Sequence, residues 1–375
     1  MKVDVAVEPR HGSAPVTEEL EAPPVARVAR RRPTRGQLLG LASLGLISVV
    51  PVPFGDFGYF IGQYATIYAI LGLSVVVVTG YAGLISLMPY SFAGIGAMAT
   101  GIAMASWGWP FWLALPFAAG ATVPFALFVG VTSVRLKGLY LAIATLTISN
   151  ALGETFFTWE TITGGDSGHF VARPVVGPVD FGGDLAFYLL CLGAVFALLF
   201  MVEGLRTSRV GRAMLAVRDN ELEAQALGIN VAKTKLVAFV LSGMIAGFGG
   251  AFLAQLLISV TPNAFQSPFA EATSLLLVTL VAIGGMDRAI GAFVGAIALV
   301  VQQQIFNGFE FFFAFVGIYA AITLIAFLLF RPGGLVQVGK ILADLTRARP
   351  ALGLSIIAII LVTNVGGAWL ILSLS

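Results

Sequence analysis

The sequence predicts an all-α, polytopic transmembrane helix bundle, and three observations carry that prediction. Hydrophobic residues make up 58% of the 375 residues and charged residues only 11%, against about 25% charged in soluble domains. Apolar runs of roughly 20 residues, each long enough to cross a bilayer, recur from Gly36 to Leu374. The ten-residue alternation of apolar and polar positions that marks a membrane β-barrel is absent. A net charge of +2 gives no electrostatic footprint for nucleic acid. The single Cys191 allows no intrachain disulfide, and His11 and His169 are too far apart in sequence to signal a metal cluster. No metal site or cofactor is expected.

Residues 1–35 are polar, with a run of arginines from Arg27 to Arg35, and read as a disordered tail whose cations hold the N-terminus in the cytoplasm. Predicted spans follow at 36–53, 57–79, 84–106, 110–134, 138–158, 185–205, 233–258, 270–285, 288–307, 312–330 and 351–373, about 10–11 crossings with some broken by glycine. Started inside and alternated, they put every one of the 21 Lys and Arg residues except Arg173 on the cytoplasmic side, as the positive-inside rule requires. The segments 84–106 and 270–285 are short or Gly-interrupted and fit re-entrant hairpins as well as full spans. Gly243-x-x-x-Gly247 and Gly291-x-x-x-Gly295 put small residues on one helix face, where neighbouring backbones can approach closely.

The longest run of charge lies between 206 and 235, with Arg206, Arg209, Arg212, Arg218, Asp219, Glu221, Glu223, Lys233 and Lys235. Within it Val210, Ala213, Met214 and Val217 recur at helical spacing. Asn220 and Glu223 then form a capping-box pattern, and Gly228 supplies a stop. The second helix is predicted to span two turns, with Leu222, Ala226 and Ile229 along one side. So short a helix is marginal in water unless something holds it. Read from the residues alone, that something is either a docked protein or the lipid headgroups.

Glu223-Ala224-x-Ala226-x-Gly228-Ile229 resembles the coupling loop of ATP-binding-cassette importer permeases, and the stretch Ser208–Asn230 is similar to branched-chain amino acid permeases of the LivM type. Gly80-Tyr-Ala-Gly-Leu-Ile-Ser86, Phe92-Ala-Gly-Ile-Gly-Ala97, Leu136–Leu146, Ile283–Ala292 and Arg331-Pro-Gly-Gly-Leu335 agree with that family in order, over about residues 55–335. The resemblance implies a permease domain at 36–335 followed by an extension at 336–375. It also implies a bacterial inner (plasma) membrane location, two separate ATPase subunits, a homologous second permease and a periplasmic or extracellular substrate-binding protein. Asn220, Glu223, Ala224, Ala226, Gly228 and Ile229 would then couple ATPase closure to the pore. On this reading the chain is a transporter subunit without enzymatic activity of its own, and branched-chain or other small hydrophobic amino acids are the expected cargo. Two departures from the family pattern, Met88-Pro89 and Asn150, keep other cargo such as urea or short amides open.

Substrate-pathway candidates are Gly80, Gly83, Ser86, Gly94 and Gly96, where glycines loosen a predicted span, together with Asn150 and Glu154. The alternative for the glycines is tight packing. Glu154 is the carboxylate expected within a span, where acids are usually functional, or it reaches the outer interface. Glu203 and Glu271 sit at span ends. The acidic outer loop 159–184 either meets a binding protein or simply connects two spans. An ion-coupled secondary transporter would want buried acids or histidines at mid-membrane, and only Glu154 approaches this. A membrane-embedded enzyme would need grouped polar residues, and His169 with Asp166 is too thin a pair. Gly334–Lys340 resembles a phosphate-binding loop, but Ile341 replaces the hydroxyl residue that the chemistry requires.

Overall fold

The first predicted span that can be followed in the computed structural model is a helix that ends in a break. The structure describes residues 55–176, 179–266 and 269–307. The tail 1–35, the predicted spans 36–53, 312–330 and 351–373, and the Gly334–Lys340 motif lie outside the described residues.

Helix α1 (Gly55–Val75) runs into a π-helical turn, Val76–Tyr81. The turn is closed by Gly83 at φ +70°, with Leu84 N–H reaching back 3.0 Å to Val78 O. A left-handed backbone is what glycine adopts without strain. The chain then runs without helix to Pro89, the first residue of α2 (Pro89–Gly101), which ends in a second π-helical turn, Ile102–Ser106. Proline suits this position because a first-turn N–H has no intrahelical acceptor. The predicted span 84–106 is therefore helical only from Pro89. The freed Leu87 N–H is taken up by Thr145 Oγ1 at 3.1 Å, on another helix.

Helices α3 (Phe111–Ala121) and α4 (Val123–Arg135) together make one 25-residue apolar crossing. Helix α5 covers Leu139–Thr155, and a short α6 covers Glu160–Thr163. Helix α7 spans Asp184–Thr207, α8 Arg209–Asp219, α9 Glu221–Ala226 and α10 Val231–Leu257. Helices α11 (Phe269–Gly284) and α12 (Ala289–Asn307) close the described chain. Among the described residues four helices are long and apolar enough to cross a membrane, and α11 with α12 forms a pair bent by 113° at its break. The two spans predicted at 270–285 and 288–307 are thus one sharply bent unit. At 16 residues α11 is shorter than the roughly 20 of a perpendicular crossing. The protein is an all-α polytopic membrane bundle.

Helix α10 is its axis, packed on α1, α2, α3 and α4, while α1 also packs on α7 and α12. Small residues make these approaches possible. A Cβ on Gly250 would overlap the Ala93 carbonyl, and one on Gly96 would overlap the Gly247 backbone. The paired glycines expected to face neighbours do so. Gly243 faces Ala126 of α4 and Gly247 faces Ala118 of α3, while Gly291 and Gly295 meet α11. With no hydrophobic drive between helices in lipid, such close contact is the main source of association.

The 159–184 segment is tied down at its own end of the bundle. β1 (His169–Phe170) pairs antiparallel with β4 (Ser259–Val260), and β2 (Val175–Val176) pairs with β3 (Val179–Asp180). Arg173, the lone cation predicted outside, forms a 2.6 Å ion pair with Asp184 and lies 5.1 Å over the Phe187 ring. It staples this loop to the start of α7.

Candidate coupling site and the broken span

At the opposite end, a Cβ on Gly211 would overlap the Leu205 carbonyl, so α8 leaves α7 through a turn too tight for a side chain. Ser208 caps α8, its Oγ accepting from Gly211 N–H at 3.1 Å. Of the helical repeat seen in the sequence, Met214 and Val217 are buried, whereas Val210 is 42% exposed.

Asn220 starts α9 as the capping pattern predicts. Its Oδ1 accepts from Leu222 N–H at 3.0 Å and Glu223 N–H at 3.4 Å, and its Nδ2 donates to Glu223 Oε1 at 2.7 Å. The Asn220 N–H is already given to Ala216 O at 3.1 Å, so the box closes through the two side chains. At the other end Gly228 takes φ +79°. Ile229 N–H bonds to Ala224 O, and Gly228 N–H to Gln225 O, both at 2.9 Å. This is a Schellman stop with its usual apolar contact, because Ile229 packs on Ala224, Val217 and Val231.

Only part of the expected apolar stripe stays together: Leu222 and Ala226 are both exposed, whereas Ile229 leaves it. Ala224 is the buried residue of α9, and Ile229 turns inward with it. Ala226 is exposed, as are Leu222 at 75% and Leu227 at 78%. A two-turn helix can bury one strip against its own chain, and Ala224 is small enough to let α9 lie close to α8. That leaves the two leucines outward.

Charge completes the site. Glu221 carries ion pairs to Lys137 at 2.7 Å and to Lys235 at 2.6 Å, and Lys235 is almost fully buried. Burial opposes ionisation of Glu221, but the hydrogen bonds from Lys137 and Lys235 outweigh it and hold the carboxyl below its usual range. On the other side of Asn220, Arg218 donates to the Gly80 carbonyl and forms a 3.0 Å ion pair with Asp287. Sequence reasoning named Arg218, Glu221 and Lys235 only as parts of a charge run and gave no role to Lys137 or Asp287. The partners lie in other elements, and no local spacing announces them.

The pathway candidates are divided among several contacts. A Cβ on Gly80 would overlap the Met286 carbonyl, and one on Gly83 would lie 2.9 Å from Arg218 Cγ. Gly94 faces Phe157 and Phe265, and Gly96 faces Gly247. Ser86 is buried in the non-helical stretch. Asn150 is half-buried on α5, its Oδ1 buried without a hydrogen-bond partner. Beside it Ser149 Oγ lies 2.5 Å from Ser91 Oγ of α2. Glu154 is exposed in the last turn of α5. The structure thus brings Gly80 and Gly83 to the coupling segment, Ser91 and Ser149 to each other, and leaves Glu154 at a helix end.

The sequence model of the family described as "Branched-chain amino acid transport system / permease component" matches residues 60–330, most of the chain and all of these sites. The chain belongs to that family. Among members of this permease family, it is 31% identical over 274 residues to the high-affinity branched-chain amino acid transport system permease proteins LivM of Salmonella typhimurium and Escherichia coli. That alignment covers 67% of this chain and 64% of each relative's length. A probable branched-chain amino acid transport permease protein LivH of Methanocaldococcus jannaschii is 26% identical over 53% of this chain and 64% of its own length. No solved structure matches.

Proposed function

We propose that this permease-family chain is the membrane-spanning subunit of an ABC importer that moves branched-chain or other small hydrophobic amino acids across the bacterial plasma membrane. The observation that carries this reading is α9. It is capped at both ends, anchored through Ala224 and Glu221, and turns Leu222 and Leu227 outward. A rigid rod held to the membrane body, with an exposed apolar face and charges at its rim, fits the groove of a cytoplasmic ATPase.

In this reading two ATPases dock on the α9 end, which faces the cytoplasm together with the N-terminus. A homologous second permease completes the pore, and a binding protein delivers cargo at the 159–184 end. ATP hydrolysis in the partners drives alternating access. Residues 36–335 form the permease domain, and 336–375 are an extension. Asn220, Glu223, Ala224, Ala226, Gly228 and Ile229 form or end the coupling rod. Gly80, Gly83, Ser86, Gly94, Gly96, Asn150 and Glu154 are proposed to border the route. Of these, Asn150 Oδ1 is the polar atom best prepared for a ligand, because a buried acceptor without a partner gains by acquiring one.

The test is a mild-detergent pull-down of the tagged protein from its own cells, followed by uptake of labelled leucine, isoleucine, valine and urea in reconstituted vesicles. ATPases and a second permease should co-purify, and Leu222→Asp should release the ATPases while keeping the second permease. A stable preparation without any ATPase would overturn the ABC reading. Uptake of urea in preference to the three amino acids would overturn the proposed cargo.

A further inference from the structure

One guanidinium joins the coupling segment to two interruptions of helical structure, the 82–88 break and the 285–288 turn. Through one amino group Arg218 donates to the Gly80 carbonyl, at the end of the π-helical turn. Through the other it holds Asp287 Oδ1 at 3.0 Å, in the turn between α11 and α12. Its side chain lies over Gly83, where a Cβ would come within 2.9 Å of Arg218 Cγ. The end of the π-helical turn and the 285–288 turn also touch directly, since a Cβ on Gly80 would overlap Met286 O.

We propose that Arg218 is a positioning residue of the transport cycle, one that ties the α9 rod to the 82–88 break and the 285–288 turn so that all three move together. The proposal deepens the importer reading and rests on it. Only Asp219 separates Arg218 from Asn220, the residue that caps α9. A displacement of the rod therefore moves the guanidinium. Carbonyls at a helix end lack intrahelical partners and carry the negative end of the dipole, which makes Gly80 O a fitting acceptor for a cation. Glu221 grips the other side of the cap, to α10 through Lys235 and to the α4–α5 turn through Lys137. The two grips divide the work: Glu221 fixes the rod to the bundle axis, and Arg218 links it to the breaks.

The Arg218–Asp287 pair is well exposed, with side-chain exposures of 35% and 63%. Pairs of that kind add little to stability, so its removal leaves a folded protein whose coupling can be measured. A lysine would not substitute, because a single ammonium lacks the fork that spans both acceptors.

The test compares Arg218→Ala, Arg218→Lys, Asp287→Ala and the Arg218→Ala/Asp287→Ala double variant in the full complex, reading amino acid uptake per ATP hydrolysed. The expected result is retained ATPases with uptake per ATP lowered roughly tenfold, an ordinary size for coupling between sites. Arg218→Lys should fall with the alanine variants, and the double variant should be no worse than the poorer single one. Wild-type uptake per ATP in the single variants, or a double variant whose loss is the product of both, would overturn the proposal. So would release of the ATPases, which would make Arg218 a docking residue. Amide exchange in the permease alone gives a readout that needs no ATPase. Asp287→Ala should speed exchange at Gly83 and Leu84, which Asp287 reaches through Arg218. Unchanged exchange there would overturn the clasp. Absence of ATPases from the wild-type preparation would instead sink the importer reading and leave the clasp to be decided by exchange.

Discussion

Glu221, the first residue of α9, closes a 2.6 Å ion pair with Lys235, a side chain only 1% exposed in α10. It also meets Lys137 at 2.7 Å. A buried ammonium is tolerated when a carboxylate compensates it, and removing one partner of such a pair leaves an uncompensated charge. Glu221→Gln should therefore destabilise the protein by about 1–3 kcal/mol, whereas Lys235→Met, which removes the buried charge and keeps the length, should lose less. Melting in detergent checks this, and equal losses in the two variants would count against the buried-charge account.

The same pair sets a pH dependence. The Glu221 carboxyl is held below its usual range despite its burial, because Lys137 and Lys235 donate to it. In the unfolded chain a glutamate takes up its proton near pH 4.3. The folded state keeps the group ionised below that point, so its contribution is fully present at higher pH and fades as pH falls toward the depressed folded value. The wild type should lose melting temperature below about pH 4.3 more steeply than Glu221→Gln. Parallel curves would refute the assignment.

Gly228 has open space around it but a φ of +79°. Gly228→Val places a β-branched residue in the left-handed region at about 1–2 kcal/mol and loosens the stop of α9. Uptake should be abolished while the protein still inserts at normal levels. Normal uptake in this variant would refute the role of α9 as a rigid coupling rod.

Gly250 has no room for a side chain, since the Ala93 backbone lies where a Cβ would go. Gly250→Leu should cost about 1–3 kcal/mol or more by forcing α2 and α10 apart. Gly193→Leu on α7, where nothing lies within 4 Å, should be tolerated. Similar yields of monodisperse protein for both variants would mean that the α2–α10 contact does not hold the bundle together.

Asn150→Leu removes a buried oxygen that has no partner, so melting should be unchanged or raised. If Asn150 borders the cargo route, uptake kinetics should change in that same stable protein. Wild-type kinetics would return the residue to a packing role.

What the sequence determined by itself is local or periodic. Helices predicted at 185–205 and 233–258 stand at Asp184–Thr207 and Val231–Leu257, because long apolar runs bounded by charge leave few other registers. Asn220 and Gly228 were legible as the start and stop of α9, because a cap and a left-handed glycine act within a few residues of the helix they end. The tertiary structure alone decided the rest. It supplied Thr145 to receive the Leu87 N–H left free in the break before α2. It bent α11 against α12 into one unit, and it buried Ala224 while leaving Leu222 exposed. It also chose Lys137 and Lys235 for Glu221, and Asp287 and Gly80 for Arg218. The bend and the burial of Ala224 depend on how consecutive helices pack on each other, and the Thr145, Lys137, Asp287 and Gly80 contacts join groups far apart along the chain; the spacing of residues within one helix specifies neither.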